Sequence, residues 1–288
     1  MPNVREAREA LGNRLRELRT DAGMNGRQLA QSLGWQPAKV SKIEHGKQTP
    51  TDAEIRAWAV ASGAPEQAGA LISQLRSLEL AHAEWKRHLR TGTRARQVQL
   101  AAIEAGASLL RIFEPATVPG LLQTPEYARS IFAQAIAMHK IPDDLDEGVE
   151  ARMERQKILY RPGRKFHFIV TEAALRNLVA PPDVLMGQIE RLIATSTLPN
   201  VVVGVIPFTA RLPKSPVHGF WIYEETLVMV ETFSAEMSLI QPDEIELYGR
   251  IFALMHDVAT YGRPARAIMT GVLDDLAAQF FPETSEQA

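Results

Sequence analysis

GRQLAQSLGWQPAKVSKIEHG, residues 26–46, is the stretch on which the fold of the first part of the chain turns. It reads as two short helices and the turn between them. Asn25 stands in front of it as an N-cap, a residue whose side-chain oxygen suits the open N–H groups of a first turn. Leu29 and Leu33 give the first helix an apolar side. Gly34 sits in the turn, where a positive φ is easy for a residue without a Cβ. Gln36 and Pro37 open the second helix, with Pro at the first helical position, where its missing N–H costs nothing. Val40 and Ile43 form the buried edge of that helix and Gly46 ends it. Ala30 is expected where the two helices cross, since a larger side chain would push them apart. A generic helical hairpin rarely combines small residues at crossing and turn with a basic outer face, so the spacing points to a DNA-binding helix pair.

Upstream, Leu11, Leu15, Leu18 and Ala22 fall on one face of a helix, stopped by Gly23. Downstream, Thr51 and Glu54 form a capping box for a fourth helix with Ile55, Trp58 and Ala59 inward. Pro65 opens a fifth helix carrying Leu71, Leu75 and Leu78, with a pattern that runs to about Leu89. A polar, basic stretch from His88 to Arg96 marks the boundary, which divides the chain into residues 1–90 and 91–288.

Past the boundary, a helix is expected from about Arg96 to Phe113, then a loop with Pro115, Pro119 and Gly120. Thr124 and Pro125 open a helix to about Lys140, and another spans about Asp144–Tyr160, closed by Arg161–Gly163. Strand-like runs begin only then, at Phe166–Val170, Val201–Pro207, Gly219–Tyr223 and Leu227–Thr232. Glu224–Thr226 reads as a hairpin turn. A helix at about Pro182–Ser196 joins the first two strands, which allows that pair to be parallel. Helices return at about Asp243–Tyr261 and Pro264–Phe281, before a frayed tail. The expected fold is mainly α: a five-helix helix-turn-helix domain, then an α+β domain with a small sheet flanked by helices.

The 288 residues contain no cysteine, which removes disulfides and thiolate chemistry and fits a cytoplasmic protein. No apolar run is long enough to span a bilayer, and the N-terminus lacks a signal-peptide pattern. The net charge of −2 hides an asymmetry, +4 over residues 1–90 and −6 over residues 91–288. The basic side is sharpest in residues 24–50, where Arg27, Lys39, Lys42 and Lys47 meet Glu44 alone. Catalytic signatures are missing: there is no nucleophile elbow, metalloprotease helix, phosphate loop or dinucleotide fingerprint. His167, His218 and His256 lack metal-ligand spacing. Asp143, Asp144, Asp274 and Asp275 read as helix-start or solvated charges. No enzyme, cofactor or metal is therefore expected.

Residues 11–63, and the tract KVSKIEHGKQTPT above all, resemble the Cro- and XRE-type five-helix DNA-binding domain. The resemblance implies that the third helix, about Pro37–His45, lies in the major groove and that the domains bind duplex DNA as dimers. It places Gln36, Pro37, Ala38, Lys39, Ser41 and Lys42 on or near the base-reading surface. Asn25, Arg27, Gln28, Lys47 and Thr49 would touch the phosphate backbone. Pro37 and Ala38 stand where some members of that family carry glutamines that bind adenine, so base reading would fall mainly on Lys39 and Lys42, with Gln36 beside them. Ala38 is limited to apolar contact, for instance with a thymine methyl.

The second half has a resemblance of its own. VPGLLQTPEYAR (Val118–Arg129), the spacing of Arg152, Arg155 and Gln156, FIVTEAALR (Phe168–Arg176) and the run Val205–Pro207 resemble actinobacterial regulators of the WhiJ-like class. That class implies an effector- or partner-binding domain, in some cases antitoxin-like and paired with a small acidic protein. Read from the residues alone, Leu121, Leu122, Tyr127 and Phe132 are core, Gln156 is a buried amide bonded to a nearby loop, and Glu172 caps a helix starting at Ala173. A homodimer is expected through the C-terminal domain and the helices around Leu78–Phe113, with a small-molecule effector or a small acidic partner protein on the second domain.

Overall fold

The computed structural model describes residues 4–72, 91–233 and 235–282. The chain divides into two compact units, residues 1–86 with 233–235, and residues 87–232 with 236–288. The expected helix over Leu75–Leu89, the boundary at residue 90 and most of the tail lie outside the described residues.

The first unit holds α1 (Val4–Asp21), α2 (Gly26–Leu33), α3 (Pro37–Glu44) and α4 (Asp52–Ala61), then a 3-10 turn at Pro65–Gln67 and helical residues 68–72. Leu11, Leu15 and Leu18 of α1 pack with Leu29, Ala30, Val40, Ile43, Ile55 and Trp58 in one core. Ala22 lies beyond the end of α1 and is exposed, because the helix has already stopped before Gly23, which turns at φ 71°. Trp58 is fully buried and its indole N–H donates to the Leu15 carbonyl at 2.9 Å, so the polar edge of the ring is satisfied inside the core.

The second unit is built on a seven-stranded mixed sheet of order β6-β5-β4-β1-β2-β3-β7. Its strands are β1 (Leu109–Glu114), β2 (Lys165–Thr171), β3 (Val201–Ile206), β4 (Phe220–Tyr223), β5 (Leu227–Glu231), β6 (Glu236–Leu239) and β7 (Thr260–Tyr261). The helices are α5 (Gly92–Ala105), α6 (Pro125–His139), α7 (Leu145–Gln156), α8 (Glu172–Arg176), α9 (Pro182–Thr195), α10 (Pro242–Val258) and α11 (Gly262–Phe280). The four expected strands are present, β2 and β3 are parallel, and β4 and β5 form the expected hairpin.

The expected helix over Arg96–Phe113 is corrected. It ends at Ala105, and LLRIFE is the central strand, parallel to β2 on one side and antiparallel to β4 on the other. A strand flanked on both sides and covered on both faces has no polar alternation to reveal it. Leu110 and Ile112 face the core under α9 and α11, which supply Leu185, Ile189, Met269 and Val272. Phe113 faces the opposite core with Ile169, Phe220 and Phe252 of α10. Burying each such side chain stabilises the fold by about 1.5–3 kcal/mol. The short strands β6 and β7 were not expected, and the helix expected to reach Tyr261 stops at Val258 so that Thr260 and Tyr261 can pair with Val205 and Gly204. Thr171, not Glu172, caps α8, which begins one residue earlier than expected.

Candidate nucleic-acid interface

The geometry of the helix pair follows from its caps. The Asn25 side chain accepts from the backbone N–H groups of Arg27 and Gln28, both at 3.0 Å, and Gln28 Oε1 accepts from Asn25 N at 2.8 Å. The first turn of α2 is thereby fixed, with the amide Nε2 of Gln28 left as a donor. Gly34 ends α2 in the left-handed region at φ 67°. Pro37 begins α3 without a side-chain cap from Gln36.

Helix α3 presents two distinct sides. Val40, Ile43 and Glu44 are buried. Gln36, Pro37, Ala38, Ser41, Lys42 and His45 are exposed, and Ala38, Ser41, Lys42 and His45 share one stripe at helical spacing. Arg27 and Lys47 are also exposed, and Thr49 is half-buried. His45 is absent from the sequence-based set, although extending the stripe one turn past Ser41 and Lys42 reaches it. Its Nδ1–H donates to the Ser41 carbonyl at 2.7 Å, which leaves Nε2 facing outward as an acceptor in the neutral ring.

Lys39 is held differently. Its ammonium pairs with the Glu54 carboxylate of α4 and lies 4.3 Å from the centroid of the Trp35 ring. Burial pushes the Glu54 carboxyl up, but hydrogen bonds from Lys39 and Thr51 outweigh it and hold that group below its ordinary value. Lys39 would have to leave both partners to reach a base.

Glu44, the one acidic residue counted against the basic stretch, is turned inward. Arg19 of α1 meets it with two bonds, Nε to Oε1 at 2.6 Å and Nη2 to Oε2 at 3.2 Å, and donates from Nη1 to the Met24 carbonyl at 2.5 Å. Both side chains are more than nine-tenths buried. This fork fixes the end of α3 to α1, and it leaves the outer surface more basic than the residue count suggests. Gly12 makes the approach possible, since a Cβ there would lie 2.5 Å from the Ile43 carbonyl oxygen. Neither contact is visible in local spacing.

Two of the second-half motifs, Val118–Arg129 and the Arg152, Arg155, Gln156 set, meet at one loop. Gln123 Nε2 donates to the Val118 carbonyl at 2.8 Å, and Gln156 Nε2 donates to the carbonyls of Gly120 and Gln123 at 2.9 and 2.8 Å. Arg152 donates to Gln97 and Gln123 and lies 4.0 Å from the centroid of the Phe132 ring. Arg155 pairs with Glu104 at 3.1 Å, and Arg96 with Glu236. Burial disfavours the charged forms throughout, pulling Arg96 and Arg152 below their ordinary values and pushing Glu104 above its own. Leu121, Leu122, Tyr127 and Phe132 are buried, as expected.

Asp144 caps α5 across the structure, accepting from Thr93 N at 2.8 Å and Arg94 N at 2.9 Å. His167 and His256, distant in sequence, stack edge to face at 5.2 Å beside Tyr261, and His218 sits apart against Tyr248. Among the described residues, no group of three or more His, Cys, Asp or Glu is placed to hold a metal ion, and no helix is long and apolar enough to cross a membrane.

Comparison with known families gives two matches. A helix-turn-helix domain matches residues 10–71. A domain of unknown function, DUF5753, matches residues 97–271. No curated protein and no solved structure matches the chain. The first match covers the capped helix pair and the α1 scaffold that orients it. The second covers the sheet, the buried Arg152 and Arg155 and more than half of the chain, which therefore belongs to the DUF5753 family and carries a helix-turn-helix domain in front of it.

Proposed function

We propose that the chain is a sequence-specific DNA-binding transcriptional regulator of the XRE type and the WhiJ-like class. It works in the cytoplasm as a pair on duplex DNA, with the C-terminal domain as effector- or partner-binding module and not as a catalyst. The observation that carries the reading is the exposed stripe of α3 with the capped start of α2, in a stretch (residues 24–50) whose one acid, Glu44, is turned inward. Gln36, Ser41, Lys42 and His45 are positioned to read base edges, with Pro37 and Ala38 limited to apolar contact. Asn25, Arg27 and Gln28 stand at a helix N-terminus suited to phosphate, and Lys47 and Thr49, beyond the end of α3, are assigned to the backbone with them. Lys39 serves first as a tie between α3 and α4.

A second reading, antitoxin-like, gives the C-terminal domain a small acidic protein as partner. The connection over residues 207–219 favours it: its sequence holds Arg211 and Lys214 and no Asp or Glu, with exposed Phe208 and Val217 in the same stretch.

The test is binding of the full chain to genomic duplex fragments over a salt series. Each neutralised phosphate contributes about −0.9 to the slope of log K against log salt, so Arg27 and Lys47 on two copies give roughly −4. Lys42→Ala then relaxes choice at one operator position, at about 1–3 kcal/mol, while Lys47→Ala weakens all sequences alike. A slope near zero, or an unchanged sequence profile for Lys42→Ala, overturns the assignment.

A further inference from the structure

His45 ends the exposed stripe of α3 and stands at its C-cap, itself exposed. Two donors converge on the Ser41 carbonyl: the His45 backbone N–H at 3.1 Å and the ring Nδ1 at 2.7 Å. A carbonyl oxygen only accepts, so Nδ1 carries the proton, and in the neutral ring Nε2 is a bare lone pair. The bond to Ser41 also ties the ring to its own helix, so less side-chain freedom is left to lose on binding. Among the described residues nothing donates to Nε2.

This fixed tautomer decides what His45 can meet on a duplex. Phosphate oxygens only accept, and a lone pair offers them nothing. The major-groove edge of a base pair presents both kinds of group: the amino groups of adenine N6 and cytosine N4 donate, whereas guanine O6 and N7 and thymine O4 accept. Nε2 therefore fits an amino group. Lys42, one turn earlier, has the opposite chemistry, with three donors and no acceptor, and it forms no ion pair among the described residues.

The position of His45 at the end of the helix does not put it out of reach. The eight residues of α3 span about 12 Å, no more than the width of the major groove, so the last turn fits inside the groove with the first. Lys42 and His45 are separated by a rise of about 4.5 Å, close to the base-pair step of about 3.4 Å, so they address neighbouring base pairs.

We propose that His45 is a specificity-determining residue of the DNA surface: it selects adenine or cytosine over guanine or thymine on the strand it contacts, one step from the base read by Lys42. The proposal rests on the reading that α3 lies in the major groove, and it adds to that reading the class of base recognised.

The experiment is selection of duplexes from a randomised pool by the full chain, then titration of the selected site and its single-base variants. In the wild type, a position beside the one that relaxes in Lys42→Ala should favour A and C over G and T by roughly three- to tenfold, the worth of one hydrogen bond. His45→Ala should flatten that position and no other. His45→Lys, which sets a donor where the acceptor stood, should turn the preference there to G and T. If the ring only caps the helix, His45→Ala weakens every sequence alike and keeps the profile. If it faces phosphate, His45→Lys strengthens every sequence alike. Either result overturns the proposal and leaves the regulator reading standing, whereas a wild type without sequence preference overturns both.

Discussion

Gly12→Ala sets two physical effects against each other. Glycine inside a helix costs about 0.8–1.0 kcal/mol relative to alanine, so propensity alone says that the change stabilises α1. The structure says the reverse. The new Cβ would lie 2.5 Å from the Ile43 carbonyl oxygen, 2.6 Å from that of Glu44 and 2.8 Å from the Glu44 carbonyl carbon. A close carbon–oxygen contact needs about 3.3 Å, and these are backbone atoms that cannot rotate away. The end of α3 must therefore retreat by roughly 0.8 Å. Overpacking of this kind costs about 1–3 kcal/mol. The retreat also pulls on the Arg19–Glu44 fork, a buried pair whose rupture costs about 3–5 kcal/mol. The net expectation is a loss of about 1–3 kcal/mol, or roughly 5–20 °C for a domain of this size. Calorimetry of the full chain measures it. Gly271→Ala is the control: it lies within α11 with nothing near the added Cβ, so it should raise the transition of the second unit. If Gly12→Ala melted at or above wild type and kept its affinity for operator DNA, the close approach of α1 to α3 would be refuted.

Glu44→Ala should destabilise the first unit by about 3–5 kcal/mol by stranding Arg19 inside it, and Arg19→Met combined with Glu44→Leu should recover most of that in urea melts. Glu114 gives a pH signature. Burial, reinforced by Glu231, raises its carboxyl from 4.5 to about 8 against the pull of Arg152. The folded chain thus binds more protons than the unfolded one between about pH 4.5 and 8, and this group's contribution to stability falls as pH rises through that window. Glu114→Gln should therefore stabilise the second unit at pH 8 and leave it nearly unchanged at pH 4.5. The difference between variant and wild-type melts at the two pH values isolates it from His167. Burial depresses His167 to about 4, with His256 and Arg111 adding to the effect, so its contribution is lost as pH falls from 6.5.

The helix pair was legible because every signal for it is local: a cap, a turn glycine, a proline at the first helical position and apolar residues at fixed offsets. The same locality explains the failures. Leu109–Phe113 reads in the sequence as the end of the preceding helix because a central strand buried on both faces shows no alternation, and Gly106 marks the break only weakly. The two residues of β7 and the four of β6 are too short to carry a period. At the candidate site, exposure of Ala38, Ser41 and Lys42 followed from helical spacing. The inward turn of Glu44, the tie from Lys39 to Glu54 and the tight fit at Gly12 depend on partners 15 to 32 positions away, which spacing does not reach. Gln156 was legible because its helix face was apolar, which made its amide a buried group in need of partners.

The place of β1 at the centre of the sheet sets a timetable for synthesis. Its partners are residues 165–171 on one side and 220–223 on the other. A ribosome adding about 5–20 residues per second needs roughly 5–20 s to travel from Glu114 to Tyr223. During that interval the helix-turn-helix unit has all of α1 to α4 at hand and is free to fold. The strand Leu109–Glu114 meanwhile waits with Leu110, Ile112 and Phe113 uncovered and one hydrogen-bonding edge open. A nascent or prematurely terminated chain would thus pair a finished DNA-binding head with a sticky, unfinished body. That body is a substrate for chaperones or proteases until β4 arrives to close the edge.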